Sequence, residues 1–166
     1  MFFDLLTRFN ARLARFSMYF AVAGVFLLVA VVTWQVFGRY VLNDTPTWAE
    51  SLALVIVLYV TLLAASVGVR DAGHIGMESL LILLPEKPRH ALEVVIHCLT
   101  AVFGVMMVWH GGHLALSVMS YQIPILHISE GFNHLPLVLA GGLIVLFSIE
   151  HVLALLHGKE VIPSWH

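Results

Sequence analysis

Four long apolar stretches make up most of this 166-residue chain, at about residues 17–37, 48–69, 91–117 and 137–156. Each holds roughly the 20 residues needed to cross a hydrocarbon core of ~30 Å at ~1.5 Å per residue. None contains a lysine or arginine, in a chain that is 60% hydrophobic and 11% charged. A soluble helix would alternate an apolar with a polar face at a period of 3.6, and these stretches do not. In lipid, every backbone amide must be paired within its own segment or a closed barrel. The stretches are too long and too uniform for barrel strands. The expected fold is therefore all-α: one integral membrane domain with four transmembrane helices.

Little is left for anything else. Four crossings leave about 70 residues for tails and short loops, too few for a soluble catalytic domain. No basic patch suits nucleic acid. Cys98 stands alone in an apolar stretch, so no intrachain disulfide is possible. The first stretch is too long for a signal-peptide core and lacks a small-residue cleavage site, and reads as a retained span.

The eight basic residues set the orientation. Arg8, Arg12, Arg15, Arg70, Lys87, Arg89 and Lys159 fall in the two tails and the middle loop, and Arg39 falls in the loop after span one. The positive-inside rule then places both termini and the middle loop in the cytoplasm. Trp34, Tyr40, Trp48, Trp109 and Tyr121 gather near the opposite boundary, as an interfacial aromatic belt does.

Two shorter segments read as interfacial. Phe2, Leu5, Leu6, Phe9, Leu13 and Phe16 share one helical face, beside a stripe of Arg8, Arg12 and Arg15. This is the pattern of a helix over residues 1–16 anchored in the headgroup region; a plain basic flank is the simpler alternative. Residues 74–84 are apolar but too short to span, and Pro85 and Pro88 close them off. A second interfacial or shallow re-entrant helix is expected there. Span two has two possible starts, Thr45-Pro46 and a Thr47-x-x-Glu50 capping box. Ala101, Gly104, Gly111 and Ala115 form a small-residue stripe on span three, and Gly141-Gly142 offers a similar surface on span four.

Candidate chemistry is sparse. Arg39 and Glu50 face each other across the first hairpin. They read as an ion pair, as a partner contact, or as a boundary arginine reaching water. Among ten histidines, His97 with His151, and His110 or His113 with His134, could form bis-histidine haem pairs between spans three and four. The separations of 13 and 17 residues do not match, and most of these rings lie near a boundary. His110 and His113 lack further ligands for zinc. Glu93 and His97, one turn apart, offer a proton relay or simply a wet helix end. Ser51 and Ser66 read as packing residues. No nucleophile constellation or phosphate loop is present, so no enzyme activity, metal or cofactor is expected. Spans one to three carry no charge at mid-membrane, where a transport site would lie.

The first hairpin is the most specific feature. Gln35-Val36-Phe37-Gly38-Arg39-Tyr40-Val41-Leu42, followed by Thr47-Trp48-Ala49-Glu50, resembles the signature of the small membrane subunit of TRAP transporters, the DctQ-like family. Gly73-His74-Ile75, Leu83-Leu84-Pro85 and Pro136 also look like that family, and the resemblance runs from about Arg15 to Leu156. The family often has two acidic residues after the tryptophan, whereas Ser51 follows Glu50 here.

The resemblance implies a tripartite system in a bacterial inner membrane. A periplasmic, DctP-like binding protein captures an organic acid. A large DctM-like permease subunit moves it with sodium by an elevator motion. The small subunit braces that permease and helps dock the binding protein. On this reading Arg39, Tyr40, Trp48, Glu50, His74 and Pro136 serve assembly or partner contact, and Arg8, Arg12 and Arg15 anchor the chain at the interface. A haem-binding membrane anchor of a respiratory enzyme is the alternative.

Overall fold

The helices follow the apolar stretches and run past them. A computed structural model describes residues 2–71, 86–157 and 161. Helix α1 is Phe2–Tyr40, α2 is Thr47–Asp71, α3 is Glu86–Ser117 and α4 is Leu135–Leu156. All four are long and apolar enough to cross a membrane. Among the described residues there is no strand, only an isolated bridge between Gln122 and Ser129.

The N-terminal amphipathic segment is not a separate element. It continues without a break into span one, giving a helix of 39 residues, about 58 Å long at ~1.5 Å per residue. No proline or glycine lies between Phe2 and Ala23 to interrupt it. The expected short helix over residues 74–84 falls outside the described residues, as does His74.

Tight turns return the chain between helices. Val41 N donates to Phe37 O, and Asp44 N donates to Gly38 O at 3.1 Å. Asn43 takes the left-handed conformation at φ 55°, which asparagine tolerates better than most residues. A Cβ on Gly38 would lie 2.9 Å from both Asp44 O and Pro46 Cδ. The glycine of the hairpin motif is thus needed for the returning strand of chain to pass. Helix α2 starts at Thr47, with Glu50 in its first turn, after Ala49 N has bonded to Pro46 O.

The second turn is longer. Glu130 N donates to Tyr121 O at 2.8 Å and Ile123 N to Ile128 O at 2.9 Å. A 3-10 turn, Glu130–Asn133, leads into α4, and Ser129 caps it by accepting from Gly131 N. The Tyr59 hydroxyl on α2 donates to Phe132 O at 3.0 Å, tying this turn to the neighbouring helix.

Packing follows a chain of neighbours. Helix α1 lies against α2, α2 against α4, and α4 against α3. The result is a layer in the order α1, α2, α4, α3. Of the two inner members α4 is the more buried, with 39% of its most apolar stretch covered, against 17% for each of the other helices. The tightest crossing joins α3 to α4. A Cβ on Gly104 would sit 2.9 Å from Gly141 O, and one on Gly141 would sit 2.8 Å from Gly104 O. Two backbones meet there, which is what small residues permit between membrane helices. Core clusters stitch the other neighbours. Val31, Ala49 and Ile56 join α1 to α2; Ala14, Val67 and Phe147 join α1, α2 and α4. Large apolar side chains such as Phe26, Phe103 and Leu116 face outward, as expected where the solvent is hydrocarbon.

Candidate functional site

Charge gathers at the two ends of the layer. From Phe16 to Gly38, from Ser51 to Val69, from Val94 to Ser117 and from Leu135 to Ile149 the helices carry no Asp, Glu, Lys or Arg. One end holds the start of α1, the finish of α2, the start of α3 and the finish of α4. We refer to it as the tail end, and to the other as the hairpin end.

The tail end contains a buried ionic cluster. Arg70, in the last turn of α2, and Glu150, on α4, form a two-point fork: Nη2 lies 3.0 Å from Oε1 and Nε lies 3.1 Å from Oε2. Both side chains have zero exposure. The remaining guanidinium arm reaches Asp71 Oδ1 at 2.8 Å. From α1, Asn10 donates through Nδ2 to Glu150 Oε2 at 2.8 Å. The cluster therefore bonds three helices through one carboxylate.

The chemistry fits the location. A planar guanidinium matches a carboxylate at two points, which a lysine cannot do. A cation in the last turn of a helix also meets the negative end of its dipole. Burial of ions is costly unless every charge is partnered, and here both oxygens of Glu150 accept bonds.

A histidine stack extends the cluster. His151 Nε2 lies 3.0 Å from Arg70 O; a carbonyl only accepts, so that nitrogen carries the ring proton. The ring of His151 lies parallel to His97 of α3, with centroids 4.4 Å apart and planes 4° apart. The sequence pairs these two residues correctly across spans three and four, but as a possible haem pair. The geometry corrects that reading. Ring lone pairs lie in the ring plane, so two face-to-face imidazoles cannot both point at an iron between them. Glu93 pairs with Arg89 at 2.9 Å. Among the described residues no group of three or more metal-binding side chains converges.

The hairpin end carries the residues singled out by the motif. Arg39 and Glu50 are both exposed, and among the described residues they form no ion pair. Tyr40 is 79% exposed and Trp48 41%. Pro136 behaves differently: it is buried in the first turn of α4, where its fixed φ suits a helix start. Arg8, Arg12 and Arg15 are exposed along α1.

Sequence reasoning missed the Arg70–Glu150–Asn10 cluster. The apolar run ends at Val69, which assigns Arg70 to the loop, although the helix continues through Asp71. The available signal was Glu150, an ionisable residue inside a span, which requires a partner of opposite charge at its own depth.

Comparison with known proteins places this arrangement in a family. The sequence model of the DctQ component of tripartite ATP-independent periplasmic transporters matches residues 28–158. The chain is 27% identical over 130 residues to the sialic acid TRAP transporter small permease protein SiaQ of Vibrio cholerae, a match covering 78% of this chain and 75% of SiaQ. It is 31% identical over 75 residues to the sialic acid TRAP transporter permease protein SiaT of Haemophilus influenzae. That second match covers 45% of this chain but 12% of SiaT, a much longer protein. The chain is a transporter component and not an enzyme: it belongs to the DctQ family of tripartite ATP-independent periplasmic transporters.

Proposed function

We propose that this chain is the small membrane subunit of a sodium-coupled, binding-protein-dependent TRAP transporter for an organic acid, and that it braces the large elevator-type permease subunit. One observation carries the bracing role. The four helices form a layer with charge only at its ends, locked at the tail end by the Arg70–Glu150–Asn10 cluster. A substrate or ion pathway needs polar groups at mid-membrane. A fixed strut needs what this chain has, close backbone packing and a buried ionic latch.

The basic bias supports an inner-membrane orientation with both tails and the latch on the cytoplasmic side. The hairpin end would then face the periplasm. Exposed Arg39, Tyr40, Trp48 and Glu50 offer a polar and aromatic surface there for the DctP-like binding protein. Both named relatives are proteins of sialic acid transporters, which makes sialic acid the first substrate to test.

The test is uptake of labelled organic acid in cells expressing the permease, the binding protein and this chain. Uptake should require all three and a sodium gradient. Full uptake without this chain would remove the bracing role, and uptake by this chain alone in liposomes would replace it with a pathway of its own.

A further inference from the structure

Helix α3 meets the tail end differently from its neighbours. The ionic cluster of Asn10, Arg70, Asp71 and Glu150 joins α1, α2 and α4. At that end α3 instead lays His97 flat against His151 of α4. Further along, the backbones of α3 and α4 touch at Gly104 and Gly141. His97 precedes Gly104 by seven residues and Ser148 follows Gly141 by seven, about 10 Å along each helix. The two therefore share a level on the facing sides of the crossing. Ser148 is fully buried, and its hydroxyl has no hydrogen-bond partner among the described residues. Ser66 and Thr100, by contrast, bond back to their own helices.

The charges around the stack come from each packed element. On α2, Arg70 offers its carbonyl to His151 Nε2 and its guanidinium to Glu150 and Asp71. On α3, Glu93 stands one turn before His97 and pairs with Arg89. The contribution of α1 is the neutral Asn10; Arg8, Arg12 and Arg15 are exposed. Past the end of α4, His157 is exposed and bonds Leu153 O. Among the described residues, three carboxylates thus stand near the stack against two guanidinium groups. One imidazolium balances that count. A second puts two cations at a centroid spacing of 4.4 Å, where the carboxylates nearby are already engaged. Like charges that close repel strongly in a partly buried site.

We propose that the His97–His151 stack is a proton-operated clasp. Carrying no more than one proton, it holds α3 on α4; a second proton parts the tail ends of these helices about the Gly104–Gly141 crossing. Free imidazole changes charge near pH 6.5, so the clasp is shut at neutral pH and opens on acidification. The two rings titrate as a pair, in two steps. No histidine side chain belongs to the ionic cluster, so α1, α2 and α4 stay locked while α3 moves. Water that enters between α3 and α4 gains a bond to the Ser148 hydroxyl. The device belongs to the fold and is independent of the solute transported.

The experiment places spin labels on the full chain in nanodiscs, in a Cys98→Ser background. Labels at Val95 and Leu156, both exposed, report the tail end of α3 and α4. Labels at Leu116 and Leu139, also exposed, report the hairpin end of the same helices. Distances are measured at about pH 8 and about pH 5, the limits between which an ordinary imidazole changes charge. The tail-end distance should lengthen at the acid limit by about 3 Å, the depth of one hydrogen-bonded water layer. The hairpin-end distance should stay fixed. His97→Phe keeps a flat ring over His151 and removes one proton site, so its tail-end distance should be the same at both limits. His97→Gln should behave likewise, without the larger ring. Spectra of 15N-histidine in the unaltered chain count the protons on the pair, and opening should follow the second. An unchanged tail-end distance in the unaltered chain overturns the clasp. So does an equal lengthening in either variant, an equal movement at the hairpin end, or an opening completed while the pair carries one proton.

Discussion

Arg70 and Glu150, 80 positions apart, meet in a two-point ion pair with neither side chain reaching solvent. The pair fixes the depth of α2 against α4, since a slip of one residue along either helix would strand both charges. Asn10 adds the depth of α1 through the same carboxylate.

Breaking this pair from one side should be severe. Arg70→Ala leaves the buried Glu150 carboxylate without a cation and should cost about 3–5 kcal/mol; Glu150→Ala leaves the guanidinium with Asp71 as a charged partner and should cost less. Replacing both, as Arg70→Met with Glu150→Leu, should recover part of that loss, with Asp71 and Asn10 each losing a partner. Thermal unfolding in detergent measures all three. A double variant as unstable as the singles would show that the pair is needed for more than mutual neutralisation.

Asn10→Ala should be milder, about 1–3 kcal/mol, because it leaves one acceptor site of Glu150 without its donor. The loss should appear as earlier exchange of α1 amides in hydrogen-exchange mass spectrometry, with α3 unaffected.

The glycines of α3 and α4 should rank by what surrounds them. Gly104→Val and Gly141→Val drive a side chain into the facing backbone, and overpacking of this kind costs about 1–3 kcal/mol. Gly142→Ala should be neutral or slightly stabilising. Melting temperatures that fail to separate Gly141 from Gly142 would contradict the close crossing.

Arg39 and Glu50 should act independently. They do not pair, so their alanine substitutions should add within about 0.5 kcal/mol in stability. Uptake should fall in each variant through lost partner contact while the chain remains folded. A large coupling energy in the double-mutant cycle would indicate that the two residues meet in the assembled transporter.

The orientation is testable by labelling. In a Cys98→Ser background, cysteines at Asn43 and Ser129 should both react with an impermeant reagent added from the periplasmic side. Protection of either position would reverse the assignment made from the arginines and lysines.

The sequence made some of this legible and hid the rest for definable reasons. Long apolar runs locate the four helices, because lipid demands continuous helix across its core. Gly104, Gly111 and Gly141 announced close packing, and the structure puts Gly104 against Gly141 and Gly111 against Leu137. The union of the N-terminal segment with span one was not legible, because composition changes at Phe16 while the backbone has no reason to break. The ionic cluster was hidden for another reason. Periodicity describes one helix at a time, and Arg70, Glu150 and Asn10 acquire meaning only when three helices are aligned in depth. His97 and His151 were matched because both were placed on antiparallel spans at similar depth, and the same reasoning applied to Glu150 would have found Arg70.

The layer order has a consequence for biogenesis. Helices leave the ribosome as α1, α2, α3, α4, yet the last one takes the interior place, between α2 and α3. Glu150 is therefore absent while Asn10 and Arg70 are already inserted. Until Glu150 arrives, 80 positions later in the chain, Arg70 has Asp71 as its charged partner within the cluster. The three-helix cluster is therefore complete only once α4 is in place, so the last helix made is the one that joins the ends of α1 and α2 through a shared carboxylate.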